Sequence, residues 1–280
     1  MPRDLSGQTV IMSGGSRGIG LAIAVRAGRD GANVALLAKT GQPHPKLPGT
    51  VHTAAREIER AGGNALPIVG DVRDDDAVLE AVERTALAFG SIDVCVNNAS
   101  AIDLSATTDL TMKRYDLMQD VNARGTFLLS KACLPHLRKS ANPHILNLSP
   151  PLNLSPRWAG RHLGYTIAKY GMSLCTLGLA HELAGEGIAV NSLWPRTTIA
   201  TAAVEHVVGD NAMLERSRSP RIMADAAHAI LTRDARSCTG NFYLDDAVLE
   251  QEGITDFSRY ALGPGEDLEP DLFLDWTRAG

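Results

Sequence analysis

Seven short apolar runs punctuate the chain: Thr9–Ser13, Asn33–Ala38, Ala65–Val69, Asp93–Val96, His144–Asn147, Ala189–Leu193 and Asn241–Leu244. Most are apolar at nearly every position rather than at alternate ones, the pattern of strands covered on both faces. Between them, apolar residues recur with helical spacing over Gly18–Asp30, Thr50–Ala61, Asp74–Phe89, Lys113–Ser140, His162–Gly185 and Arg221–Thr232. This alternation predicts an α/β fold: a doubly wound parallel sheet of about seven strands with helices on both faces, in a single domain. Ligands of such sheets bind beyond the C-terminal ends of the strands.

Three stretches interrupt the rhythm. Thr40–Gly49 holds three prolines and two glycines and reads as an irregular loop. Thr197–Ser219 follows the sixth strand and has the length of a lid over a site. Glu250–Gly280 is acidic, with Glu250, Glu252, Asp256, Glu266, Asp267, Glu269, Asp271 and Asp275 against Arg259 and Arg278. Phe257, Tyr260, Phe273 and Trp276 give that tail groups to bury, so it is expected to dock. The chain thus divides into a main domain over residues 1–249 and a docked C-terminal extension over 250–280.

A net charge of −5 provides no basic field to attract nucleic acid or an anionic membrane. No run approaches the apolar length of a membrane span, and Met1-Pro-Arg-Asp-Leu-Ser-Gly7 has no apolar signal segment. Cys95, Cys133, Cys175 and Cys238 are widely spaced in apolar runs, as expected of buried, reduced thiols rather than metal ligands. Together these features predict a cytoplasmic protein with no metal centre.

The candidate chemistry starts at the first strand. Ser13-Gly-Gly-Ser-Arg-Gly-Ile-Gly20 joins that strand to the first helix, with glycines at 14, 18 and 20. Missing Cβ atoms allow a pyrophosphate to approach the backbone, and the helix N-terminus offers free N–H groups. Gly14, Gly15, Ser16, Arg17, Gly18, Ile19 and Gly20 are therefore the candidate phosphate cradle of a Rossmann-type dinucleotide site. The second strand ends Leu36-Leu-Ala-Lys39-Thr without the carboxylate that would bind a ribose 2′-hydroxyl. Arg17 and Lys39 instead suit a 2′-phosphate, so NADP(H) is the expected cofactor.

Gly164-Tyr-Thr-Ile-Ala-Lys169 supplies the second half of the chemistry. On a helix, Tyr165 and Lys169 share one face a turn apart. An ammonium fixed beside a phenol lowers the phenol's pKa, making Tyr165 a candidate general acid/base for a carbonyl or alcohol.

With Asp71-Val72 after the third strand, Asn97-Asn-Ala-Ser100 after the fourth, and Asn122, these motifs resemble the short-chain dehydrogenase/reductase family over residues 8–195. Ala38–Lys46, Asn147–Asn153, Tyr165–Ser173, Gly240-Asn-Phe and Pro270-Asp-Leu-Phe-Leu-Asp275 are similar to its hydroxysteroid-dehydrogenase-like subfamily, some members of which add a sterol-carrier-like domain. This sequence is expected to lack that domain. The resemblance implies that Asp71 and Val72 contact adenine, and that Asn98 and Ala99 line the adenosine side of the cleft. It further implies that Lys169 holds the nicotinamide ribose, that Asn122 anchors a water leading from Lys169, and that Thr198 meets the nicotinamide amide. Homodimers or homotetramers, paired through the helices over Lys113–Ser140 and His162–Gly185, are implied as well.

Two departures stand out. The family's second serine after strand five is Pro150 here, which has no N–H or hydroxyl to donate. Ser149 is the nearest hydroxyl and is assigned to polarise the substrate carbonyl; Ser155 is the other one nearby. In Trp194-Pro-Arg-Thr-Thr-Ile199, Arg196 stands where the family has glycine, and either contacts an anion or lies on the surface.

The expected reaction is hydride transfer between the nicotinamide and a small carbonyl or alcohol substrate. Ile102, Leu104, Leu152, Leu154 and Trp158 near the cleft suit a lipid-like one. A nucleotide-sensing protein without turnover and an enoyl-thioester reductase are the alternatives on the same scaffold.

Overall fold

Parallel pairing organises the computed structural model, which describes residues 4–43, 48–202, 211–263 and 267–275. The strands are β1 (Thr9–Ser13), β2 (Asn33–Ala38), β3 (Asn64–Val69), β4 (Val94–Asn97), β5 (His144–Asn147), β6 (Ala189–Trp194) and β7 (Phe242–Leu244). They form one sheet in the order β3-β2-β1-β4-β5-β6-β7, every neighbouring pair parallel. The order reverses between β1 and β4, and the crevice at that switch point is where doubly wound sheets bind ligands.

The helices are α1 (Gly18–Arg29), α2 (Val51–Ala61), α3 (Asp75–Phe89), α4 (Met112–Met118), α5 (Gly125–Leu137), α6 (Pro156–Arg161), α7 (Leu163–Glu182), α8 (Asn211–Glu215), α9 (Arg221–Leu231) and α10 (Asp245–Gln251). Alternate strand residues feed opposite layers. Val10 and Met12 join Ile23, Ile58, Ile222 and Ile230 on one face, while Ile11 joins Val78, Leu129, Leu137 and Val190 on the other. Near-continuous apolar strands are the sequence counterpart of this double burial.

The single helix expected over Lys113–Ser140 is broken. A π-helical turn, Gln119–Arg124, separates α4 from α5. Within it the Asn122 side chain accepts from the Ala101 N–H (2.7 Å) and donates to the Ala101 carbonyl (3.0 Å). That tertiary tie is invisible to periodicity, and π-turns of this kind concentrate at functional sites. Three short helices also escape the periodic pattern because they are too short to show it. Pro156 is pre-set for the first turn of α6, and Asp245 and Asp246 suit the positive N-terminus of α10.

The boundary drawn from composition at residue 249 falls inside α10. Beyond it, Tyr260 is fully buried in the layer that contains Val248 and Ile222, and its hydroxyl donates to Asp225 (2.7 Å). Residues 267–275 then run back over the C-terminal edge of the sheet as a strap, with Pro270 bridged antiparallel to Thr197. Trp276 lies outside the described residues, as does 203–210 of the expected lid.

One buried ionisable group leaves a stability signature. His144 on β5 is 1% exposed, and its Nε2 lies 3.1 Å from the Arg233 carbonyl. A carbonyl only accepts, so Nε2 carries the proton and the partnerless Nδ1 is bare. Burial lowers its pKa to about 4. Between about pH 4 and 6.5 the unfolded chain therefore binds the proton that the folded chain refuses, and stability rises with pH across that window. Urea titrations should show up to about 3 kcal/mol lost on acidification through this range, and His144→Asn should flatten that dependence; an unchanged slope in the variant would refute the assignment.

Candidate active site

The first part of the site is the gap between the ends of β1 and β4. A Cβ on Gly14 would lie 2.8 Å from the Ala99 Cα, and Gly14 has φ +74°, a conformation that favours glycine. A Cβ on Gly20 would meet the Asn98 amide at 2.5 Å. The Asn98 side chain donates to the carbonyls of Ser13 (3.2 Å) and Gly14 (2.9 Å), while the N–H groups of Asn98 and Ala99 donate to Ser13 Oγ. Gly15 serves packing, since a Cβ there would strike Leu36.

Above this loop lies a cleft of about 420 Å³ lined by Gly14, Ser16, Arg17, Gly18, Ile19, Lys39, Asp71, Val72, Asn98 and Ala99 among others. No side chain caps α1, so its N-terminal N–H groups remain available to an anion. The cradle fits a dinucleotide pyrophosphate. The cations are partly engaged: Arg17 donates to Thr40 Oγ1 and the Gly49 carbonyl (both 3.1 Å), and Lys39 sits 3.6 Å from Asp71. Asp71 also takes a bidentate grip from Arg73, which with Lys39 holds its carboxyl below the usual range against the cost of burial.

The second part is α7. Gly164 and Gly171 lie on the same face, where Cβ atoms would strike Leu110 and Ala123, so α7 packs tightly on the loop before α4 and on the π-turn. This close packing fixes where Tyr165 and Lys169 project. Both are buried, and both line a cavity of about 470 Å³ with Ser100, Ile102, Leu104, Leu148, Trp158, Trp194 and Asp271.

Their electrostatics differ from the expectation. Lys169 Nζ donates to the Leu148 carbonyl at 2.9 Å and stands 5.2 Å from the Trp194 ring centre. Burial lowers its pKa to about 7, and the Asp271 carboxylate opposes that shift. The Tyr165 phenol is not lowered: burial pushes it well above its ordinary value, Asp271 adds to this, and a hydrogen bond to the Ser100 hydroxyl pulls the other way.

A family model for short chain dehydrogenase matches residues 8–211. The chain belongs to the short-chain dehydrogenase family. Its members are oxidoreductases that use nicotinamide cofactors. The chain is 56% identical over 271 residues to hydroxysteroid dehydrogenase-like protein 2 of Xenopus laevis and 55% identical to that of Homo sapiens. Each match covers 97% of this chain but only 64% of the relative's length. A solved structure of a putative dehydrogenase from Xanthomonas campestris is 57% identical, with a TM-score of 0.94, covering 98% of this chain and all of that one.

Within this family frame, Ser149 is out of place. Its hydroxyl is fully buried and bonded to Ser192 (2.8 Å), which meets Thr176 (2.7 Å), in a polar network that continues to Asn147 and Asn97. Ser149 does not line the cavity, because the chain ahead of Pro150 directs its side chain toward β6. The assignment of Ser149 to the substrate carbonyl is therefore corrected. Ser155 does not line the cavity either. Arg196 is not an anion contact: its Nε pairs with Asp246 at 2.6 Å. Thr198 does line the cavity, but its N–H donates to the Glu269 carbonyl and its hydroxyl meets Ser217. The Asn122 side chain spends one acceptor lone pair and one donor on Ala101, which leaves its second amide N–H and second lone pair uncommitted. Among the apolar candidates, Ile102, Leu104 and Trp158 line the cavity, whereas Leu154 is 82% exposed.

Ser100, His162, Trp194 and Asp271 also line the cavity, and sequence reasoning gave none of them a role in the site. Ser100 carried a signal, as the last residue of the Asn97-Asn-Ala-Ser motif. Asp271 carried only its place in the run Pro270-Asp-Leu-Phe-Leu-Asp275, which gave no sign of a role in the site for one acid among many in an acidic tail.

Proposed function

We propose that this chain is an NADP(H)-dependent oxidoreductase acting on the carbonyl or alcohol of a small apolar or lipid-like substrate, with Tyr165 as general acid/base. The observation carrying this reading is the continuity of the two cavities: Ile19, Asn98, Ser100 and Thr201 line both. The cleft over the glycine loop thus opens directly onto the wall formed by Tyr165 and Lys169. The bound nicotinamide would supply or accept the hydride.

The chain's own groups handle the proton and the charge. Tyr165 exchanges a proton with the substrate oxygen, and Ser100 is the hydroxyl that bonds the phenol. Lys169 holds a positive charge in the same cavity, offsetting the negative charge that develops on oxygen. The remaining lining includes Ile102, Leu104, Leu148, Trp158, Trp194 and Leu272, which suits an apolar ketone, ketosteroid or ketoacyl compound. The name shared by the relatives, hydroxysteroid dehydrogenase-like protein 2, points the same way. Arg17 and Lys39 in the cleft, with no acid ending β2, support a 2′-phosphate and hence NADP(H).

A nucleotide-sensing role without turnover has two observations behind it: Ser149 is outside the cavity, and the phenol is harder to ionise than usual. Assembly through α5 and α7 is also part of the proposal. Phe127, Ile167, Leu174 and Leu177 stand 43–58% exposed there, an apolar surface suited to a homodimer or homotetramer.

Three measurements test these readings. With NADPH and a panel of ketones, ketosteroids and 3-ketoacyl thioesters, Tyr165→Phe should lower kcat/KM by about a hundredfold or more while leaving NADPH binding intact. Turnover equal to wild type would end the acid/base role, and no turnover on the whole panel would favour the sensor. Calorimetry should show NADPH binding weakened by about tenfold in Lys39→Ala or Arg17→Ala with NADH binding little changed; wild-type protein preferring NADH would sink the cofactor choice. Light scattering should find an oligomer that Leu174→Glu dissociates, and a monomeric wild type would remove the assembly claim.

A further inference from the structure

The C-terminal strap places a carboxyl where the rest of the site has none of its own. Asp271 lines the cavity together with Tyr165 and Lys169, and it is pinned from both sides. Its N–H donates to the Arg196 carbonyl (3.0 Å) and Pro270 bridges Thr197. Two residues on, the Phe273 ring packs 5.3–6.1 Å from the rings of Trp158, Tyr165, Tyr170 and Trp194. Glu269 on the same strap also lines the cavity, but it is bound by Arg216 at 2.5 Å.

Among the described residues, the charged groups around the cavity of Asp271 differ in burial, and Arg157 and Arg161 are exposed. From α6 and the start of α7 come Arg157, Arg161, His162, Tyr165 and Lys169. Arg157 lies against the Trp158 ring, and His162 Nδ1 is held by the Leu104 carbonyl. Behind the strap, Asp245 adds a negative charge, while Arg196 and Arg218 both bind Asp246. Lys169 is thus left as the buried cation that shares the cavity with Asp271, without a direct ion pair to it. The two act on each other in compensating directions: burial raises Asp271 to about 7, which Lys169 opposes, just as Asp271 opposes the lowering of Lys169.

We propose that Asp271 is a positioning residue, the counter-charge that keeps an ammonium at Lys169 in the Tyr165 cavity, so that a docked strap is a condition of turnover. The last clause rests on the oxidoreductase reading above; the charge pairing does not. A buried ammonium without a counter-charge releases its proton. With Lys169 neutral and Asp271 charged, the only field at Tyr165 would oppose loss of the phenol's proton. With Lys169 protonated the pair is neutral overall, and the phenol is relieved of that field.

Asp271→Asn is the decisive variant, because an amide oxygen can still accept from the Leu272 N–H, as the carboxylate does now (2.6 Å). The Lys169 titration is read directly by carbon NMR of the methylated lysines, with Lys169→Arg assigning the signal. The Asn variant should lower the Lys169 pKa by about one unit or more, and Asp271→Glu should restore it. The alkaline limb of kcat/KM should move down in parallel, a loss of about tenfold at pH 8 and no more than about twofold at pH 6. An unchanged Lys169 titration in Asp271→Asn overturns the proposal whether or not the enzyme turns over. Absence of turnover with a shifted titration overturns only the oxidoreductase reading. Asp271→Ser, which also retains a local acceptor, is measured in the same way if the Asn variant does not fold.

Discussion

Everything in this molecule that concerns a ligand depends on how closely the backbone after β1 approaches the backbone after β4. The Asn98 amide spans that gap and ties down the carbonyls of Ser13 and Gly14, and the Ser13 hydroxyl receives two N–H groups in return. The approach is possible because Gly14 has no Cβ to meet Ala99 and can adopt a positive φ. Once set, it leaves the first turn of α1 facing an open cleft and puts Ser100 beside Tyr165. The glycine-loop end and the Tyr165 end of the candidate site are thus held by one short contact at the switch point.

At the reactive end, desolvation is the dominant force. It strips charge from Lys169, adds a proton's worth of reluctance to Asp271 and raises the Tyr165 phenol. Isolated, each group would be driven to its neutral form. Brought together, Lys169 and Asp271 oppose each other's shifts while Asp271 adds to that of Tyr165, which makes the protonation state of the cavity a property of the group rather than of any one side chain.

The strap that completes this group is held against a local cost. Phe273 adopts φ +71°, the left-handed region, worth roughly 1–2 kcal/mol for a residue with a Cβ. Its ring packs among those of Trp158, Tyr165, Tyr170 and Trp194, each pair contributing about 0.5–1.5 kcal/mol beyond burial. Carbonyl and carboxylate groups of the strap also accept the indole N–H groups of Trp194 and Trp158. The aromatic nest outweighs the strain, so the segment that bears Asp271 is anchored through its neighbour.

Apolar strand runs, helical periodicity and the glycine loop specified the sheet and the cradle from sequence, because each is a local pattern with a local physical cause. The four-residue spacing of Tyr165 and Lys169 placed them on one helix face for the same reason. Ser149 was misassigned because its orientation depends on Ser192, 43 residues away, and a polar network between strands leaves no trace in spacing. The π-turn at Asn122 was hidden because its cause is the backbone of Ala101. Asp271 is the clearest case. Its type and its acidic surroundings were plain in the sequence, yet only the packing of Phe273 and the bridge from Pro270 to Thr197 decide that this acid, among the many in the tail, sits with Tyr165 and Lys169. Sequence determines which chemical groups a segment offers; long-range packing determines which of them lose their water together.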